Sequence, residues 1–249
     1  AVFESAGALL AGGDVVSTIA TGIIAPQSMQ TASIFIWAML AALLSAALWV
    51  NLATWIGAPV STTHSVVGGV MGAGIAAAGF AAVNWPTMYK IAASWVISPV
   101  LGGVIAALFL WFIKNWIVYR DDKISAARVW VPVLVGIMGG AFSAYLALKG
   151  LKKIMKIDFS SALMIGLGLG VLIWLVMIPV VRKQAEGLEN RNKSLKKLFG
   201  IPLVVSAALR SVAHGANDVA NAVGPLAAIV QASASGGFAD AVSMRHWVM

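Results

Sequence analysis

Apolar residues fall in long continuous runs along this chain, separated by short polar or glycine-rich connections. The runs do not alternate with polar positions and are rich in Ala, Leu, Val, Ile and Gly, so they predict helices rather than half-buried strands. The first run, 1–12, is half the length of a membrane span and carries Glu4. A stretch rich in Gly, Asp, Ser and Thr follows over 13–30, and a helix is predicted over 31–55. An interrupted apolar segment over 56–83 opens with Gly57, Pro59 and a Ser-Thr-Thr-His cluster, and contains Gly68, Gly69, Gly72 and Gly74. A long span is expected over 88–117 with Pro99 inside it, then two compact spans over 129–148 and 161–181. The last apolar region, 201–231, is expected to break at His214-Gly-Ala-Asn-Asp218.

Several of these runs reach the roughly 20 apolar residues that cross a hydrocarbon core. Backbone polar groups in lipid must be paired internally, which limits spanning structures to helices and closed barrels. The pattern therefore predicts an all-α integral membrane protein, a multi-pass helical bundle with broken or re-entrant helices, in a plasma or inner membrane.

Composition strengthens this reading. Apolar residues make up 60% and charged residues 10%, against about 45–50% and about 25% in soluble domains. There is no cysteine, which excludes disulfides and thiolate metal sites. The net charge of +8 does not point to nucleic acid, because the basic residues lie in the connections and form no face with interleaved aromatics. The 114–128 connection holds Lys114, Arg120, Lys123 and Arg128; the 182–199 connection holds Arg182, Lys183, Arg191, Lys193, Lys196 and Lys197. Two spans separate them, so both lie on one side, and together they outnumber Lys149, Lys152, Lys153 and Lys156 on the other. The excess of Lys and Arg assigns 114–128 and 182–199 to the cytoplasm, with 186–197 a short helix or linker dividing two hydrophobic blocks. Trp85, Trp111, Trp116 and Trp130 lie near span ends, as interfacial aromatics do. The chain reads as an internal piece of a longer protein: it starts at Ala1 inside an apolar run and stops at Met249 soon after a polar motif.

Three features place polarity where it is expensive. In Gly57-Ala-Pro-Val-Ser-Thr-Thr-His64, Pro59 suits the first turn of a helix and no deeper position. Ser61, Thr62 and Thr63 would then offer hydroxyls beside the free N–H groups of a helix start, an arrangement that binds anions and that broken-helix transporters use at membrane depth. Their bland alternative is bonding back to the preceding turn or to a neighbouring helix. In the second, His214-Gly-Ala-Asn-Asp-Val-Ala-Asn221, Asn217 and Asn221 share a helix face and Asp218 lies beside them. Carboxylate and amide oxygens suit a hard cation such as sodium, held by Asp218 and Asn217, and Asp218 could instead carry a proton. A polar interhelical lock or a helix cap is the competing role. The third is Glu4, a lone carboxylate that needs a partner or a water-filled cavity and is a candidate coupling residue. Asn51 and His64 are weaker candidates, more in keeping with contacts between helices. Asp14 and Asp240 are expected to face solvent. No nucleophile and base pair, nucleotide motif or His-rich metal site is recognisable, so the chain is not read as an enzyme.

Pro59-Val-Ser-Thr-Thr-His-Ser65 and Gly215-Ala-Asn-Asp-Val-Ala-Asn-Ala222 resemble the paired signatures of the inorganic phosphate transporter family, and Phe3-Glu4-Ser-Ala-Gly-Ala-Leu-Leu-Ala-Gly-Gly13 resembles its second span. The resemblance covers nearly the whole chain. It implies a fold of two inverted repeats, with the late part of repeat one and following spans in 1–181, a cytoplasmic connection in 182–199, and the early, truncated part of repeat two in 200–249. It implies that Ser61, Thr62 and Thr63 bind the anion on a re-entrant hairpin. It further implies that Asn217, Asp218 and Asn221 bind the coupling ion and close the site, and that Glu4 is tied to transport. The substrate implied is inorganic phosphate, with sodium or protons as coupling ion, no other cofactor, lipid as surroundings and a homodimer as an allowed assembly. Half of the family's site is absent from these residues, so this piece alone is not expected to transport.

Other classes remain open on the residues alone. A sulfate or other oxyanion permease would use the same hydroxyls; phosphate uptake should vary with pH near the second phosphate pKa of about 6, and sulfate uptake should not for that reason. An anion channel would need continuous selectivity rings and an open path.

Overall fold

The computed structural model describes residues 1–150 and 157–235. Lys152, Lys153, Lys156 and Asp240, together with the side chain of Asp14, lie outside them. The described chain is helical: α1 Val2–Ala11, α2 Gly13–Ser17, α3 Ala32–Ile56, α4 Thr62–Ala78, α5 Trp85–Ile113, α6 Lys123–Lys149, α7 Phe159–Gln184, α8 Asn192–Leu198 and α9 Gly200–Ser235. Among the described residues there is no strand, and a single antiparallel bridge pairs Ile24 with Val83. Four helices are long and apolar enough to cross a membrane: α3, α5 with its π-helical extension to Val118, α6 and α7. The multi-pass membrane class follows from these lengths, and it explains why large side chains such as Trp37, Leu48, Val96, Leu108, Leu167 and Leu175 stay exposed when a soluble protein would bury such a continuous surface.

Two regions differ from what the pattern alone assigns. The 13–30 stretch, given no element from its composition, is largely helical: a π-helical turn, Thr18–Gly22, follows α2, and Val2–Ala11 with Val15–Gly22 forms a pair of helices bent by 67°. Its apolar residues decide this, since Val16, Ile19, Ala20 and Ile23 are all buried. The second is a correction: 201–231 does not break at His214–Asp218, and α9 runs unbroken from Gly200 to Ser235. Its glycines serve close approach between helices instead, as described below.

Capping explains where the helices begin. Thr31, Ser61, Asp122 and Asp158 occupy N-cap positions of α3, α4, α6 and α7, each accepting a hydrogen bond from the backbone N–H three residues on. The hydrogen bonds from Ser125 hold the Asp122 carboxyl below its ordinary pKa, and those from Ser161 do the same for Asp158. At the far end of α3, Gly57 turns left-handed at φ 72°, and the N–H of Ala58 reaches the carbonyl of Ala53 at 2.8 Å. That turn closes α3 and lets 58–60 run extended into α4.

Two compact units organise the chain. The first holds residues 1–96 and 212–235 of the described chain. There α4 folds back on α3 so closely that a Cβ on Gly69 would sit 2.9 Å from the Ala42 carbonyl oxygen. Val16, Ile23, Ile24, Met39, Val70 and Ala220 are central to its apolar core. The second unit, 97–211, is built on α6 and α7. Gly136 and Gly140 of α6 face Gly166 and Gly170 of α7, and a Cβ at Gly140 would meet the Gly166 carbonyl oxygen at 2.7 Å. Small residues at such a seam let backbones touch, which is how helices associate where lipid removes the hydrophobic drive.

The positions of the connections agree with the charge reading. Asn190 donates from Nδ2 to the Asp121 carbonyl at 2.5 Å and accepts from the Lys123 N–H at 3.0 Å. Arg128 reaches the Ala185 carbonyl at 3.2 Å. The 114–128 and 182–199 connections are therefore packed together at one end of the α6–α7 pair, and the polar stretch forms the short helix α8.

Candidate functional site: two motifs joined at a helix start

The Ser-Thr-Thr segment begins α4, one step later than its proline suggests. Pro59 lies in the extended lead-in, Ser61 is the N-cap, and Thr62 and Thr63 are the first two helical residues. Ser61 Oγ accepts from the His64 N–H at 3.3 Å, while its carbonyl receives the Ser65 hydroxyl at 2.8 Å. The cap therefore engages one oxygen of the three hydroxyls and the His64 N–H, and leaves the N–H groups of Thr62 and Thr63 without helical acceptors. Ser61 and Thr62 are exposed and Thr63 is half-buried. The ring of His64 meets Trp95 edge-to-face, 4.0 Å between centroids.

Asn217, Asp218 and Asn221 lie on consecutive turns of α9, as their spacing predicts. The fold brings Asn221 to Thr62, and its Nδ2 donates to Thr62 Oγ1 at 3.2 Å across 159 residues of sequence. The other amide atom, Asn221 Oδ1, is buried and has no hydrogen-bond partner among the described residues. A buried acceptor without a donor suits a hard cation, and this oxygen belongs to the residue that touches the helix start. Asn217 is exposed.

Glu4 reaches the same face of α9. His214 Nε2 lies 3.0 Å from Asp218 Oδ2, and its Nδ1 lies 3.6 Å from Glu4 Oε1, so one imidazole stands between two carboxylates. The backbones set this geometry. A Cβ on Gly215 would collide with the Glu4 carbonyl, and one on Gly7 with the Val212 carbonyl. Further along the seam, a Cβ on Gly224 would come within 2.7 Å of Ile19. Sequence reasoning named Glu4 and Asp218 separately and gave His214 no role; its spacing of four residues before Asp218 was the available signal. Trp95 carried no signal beyond its aromatic character.

One sequence candidate falls elsewhere. Asn51 sits on α3 and donates to the Ala47 carbonyl of its own helix at 2.8 Å. Arg210 is exposed on α9, one turn before His214. Among the described residues no group of three His, Asp or Glu side chains is arranged to hold a metal ion.

Long apolar helices, with a polar helix start that meets an amide of α9, define a polytopic membrane protein. The chain belongs to the phosphate transporter family, whose sequence profile matches residues 1–249; the family is one of transporters, not enzymes. It is 54% identical over 231 residues to a protein of Helicobacter pylori strain J99 named "Putative phosphate permease", covering 93% of this chain and 43% of that protein. It is 32% identical over 249 residues to a protein of the same description from Thermococcus kodakarensis, covering 100% of this chain and 60% of the relative. A solved structure titled "The sodium-dependent phosphate transporter" matches with a TM-score of 0.90 and 31% identity, over 99% of this chain and 60% of that one. The chain thus spans about half the length of the relatives it matches.

Proposed function

We propose that this chain forms part of a secondary transporter that moves inorganic phosphate across a membrane in symport with sodium. In this reading Ser61, Thr62 and Thr63 receive the anion, while Asn217, Asp218 and Asn221, with Glu4 behind them, hold the coupling ion. The observation that carries it is the Asn221–Thr62 hydrogen bond at 3.2 Å, which joins the two motifs at one point. Hydroxyls and helix N–H groups replace phosphate's water without a fixed lysine that would oppose release. The neutral amides favour sodium over a proton, because an amide oxygen ligates a cation but does not titrate at neutral pH.

The test follows labelled phosphate into proteoliposomes holding the complete gene product, with an inward sodium gradient or a proton gradient alone. Sodium-dependent uptake that collapses in Asp218→Asn is the expected result. Uptake under protons alone would overturn the choice of ion, and sulfate carried in place of phosphate would overturn the substrate.

A further inference from the structure

We infer that α8 and the two connections packed around it form a binding site for the headgroups of anionic glycerophospholipids. This surface takes no part in the phosphate site described above. The two connections that build it, 114–128 and 182–199, carry ten basic side chains against four acidic ones. Such an excess ordinarily does no more than orient a membrane protein. Here it is also placed rigidly and at a defined depth.

Depth comes from the aromatic side chains. Trp116 and Trp130 contact each other with ring centroids 5.4 Å apart, and the Arg120 guanidinium lies 5.2 Å from the Trp116 ring centre. Tryptophan pairs of this kind sit at the headgroup level of a bilayer. Leu195 and Leu198 of α8 are buried in the same apolar cluster as Ile117, the residue next to Trp116. The short helix therefore lies at the level of those rings. Rigidity comes from hydrogen bonds across the connections: Gln184 Nε2 donates to the Lys197 carbonyl at 3.0 Å, and Asn190 clasps the 121–123 backbone.

With its leucines turned inward, α8 leaves Lys193, Lys196 and Lys197 exposed. Two of the four acids are engaged elsewhere: Glu189 pairs with Arg191 at 2.7 Å, and Asp122 caps α6. Among the described residues no carboxylate pairs with these three lysines. Three ammonium groups held at headgroup depth beside a tryptophan pair match the phosphodiesters of a leaflet. A single free phosphate ion is a poorer match, because the surface is open and no buried donors enclose it.

The experiment uses the complete protein in a neutral detergent and reads its thermal unfolding while short-chain lipid is added. Dioctanoyl phosphatidylglycerol is expected to raise the midpoint, with dioctanoyl phosphatidylcholine and inorganic phosphate failing to do so through this surface. Changing Lys193, Lys196 and Lys197 together to Gln should weaken the apparent affinity for phosphatidylglycerol by about tenfold or more, and changing all three to Arg should preserve it. Should the Gln variant not fold, wild type in about 0.5 M salt decides, since screening must then remove the shift. An equal shift with phosphatidylcholine, full retention in the Gln variant or at high salt, or a phosphate-induced shift that the Gln variant abolishes would each overturn the inference.

Discussion

At the scale of single residues, the site rests on one amide. Asn221 uses its Nδ2 to hold Thr62 and leaves its buried Oδ1 without a donor. A buried acceptor left unpaired costs about 1–3 kcal/mol, and a bound cation would remove that cost. Thr62→Val and Asn221→Ala should therefore each lower sodium-driven phosphate uptake, and their effects should not add. The expected coupling is about 0.5–1.5 kcal/mol in a double-mutant cycle on the half-activating sodium concentration. Strict additivity would mean that the hydrogen bond does not link the two functions.

Elements are governed here by glycine seams more than by apolar stripes. The α1–α9 contact presses backbone on backbone at Glu4–Gly215 and Gly7–Val212. This contact brings a carboxylate on one helix to an imidazole on the other. Gly215→Ala puts a methyl group where the Glu4 carbonyl already is, and should destabilise by about 1–3 kcal/mol as overpacked sites do. Gly168 of α7 has nothing within 4 Å of its would-be Cβ, so Gly168→Ala should be neutral or stabilising by up to about 1 kcal/mol. Thermal unfolding of both variants in detergent separates the two cases; equal effects would show that the α1–α9 seam is looser than the structure has it.

For the whole molecule, the contact between 114–128 and 182–199 makes a topological statement that thiol labelling of introduced cysteines tests. Lys123→Cys and Lys193→Cys should react with a membrane-impermeant thiol reagent from the same side, the cytoplasmic one. Asp158→Cys, at the other end of α7, should react from the opposite side. Labelling of Lys123→Cys and Lys193→Cys from different sides would contradict the packing of Asn190 against Asp121 and Lys123.

Much was legible before any coordinates. Span lengths depend on local hydrophobicity, so α3, α5, α6 and α7 fell close to their predicted bounds, and the motif residues of α4 and α9 could be named from turn chemistry and spacing. What failed were inferences from local rules that a neighbour overrides. Gly215 allows either a helix break or a close helix approach, and the break expected at His214–Asp218 gives way to the second, with α1 packed against that glycine and α9 continuous. The 13–30 stretch received no element from its composition, yet burial of Val16, Ile19 and Ile23 makes most of it helical. The specific contacts of Thr62 with Asn221 and of Glu4 with His214 could not be read from spacing along the chain. Those contacts bridge up to 210 residues of sequence, and spacing rules describe only neighbours along a helix. The sequence determined which residues are polar at membrane depth; tertiary packing alone decided which of them touch, because only the close approach of separate helices brings their side chains within bonding distance.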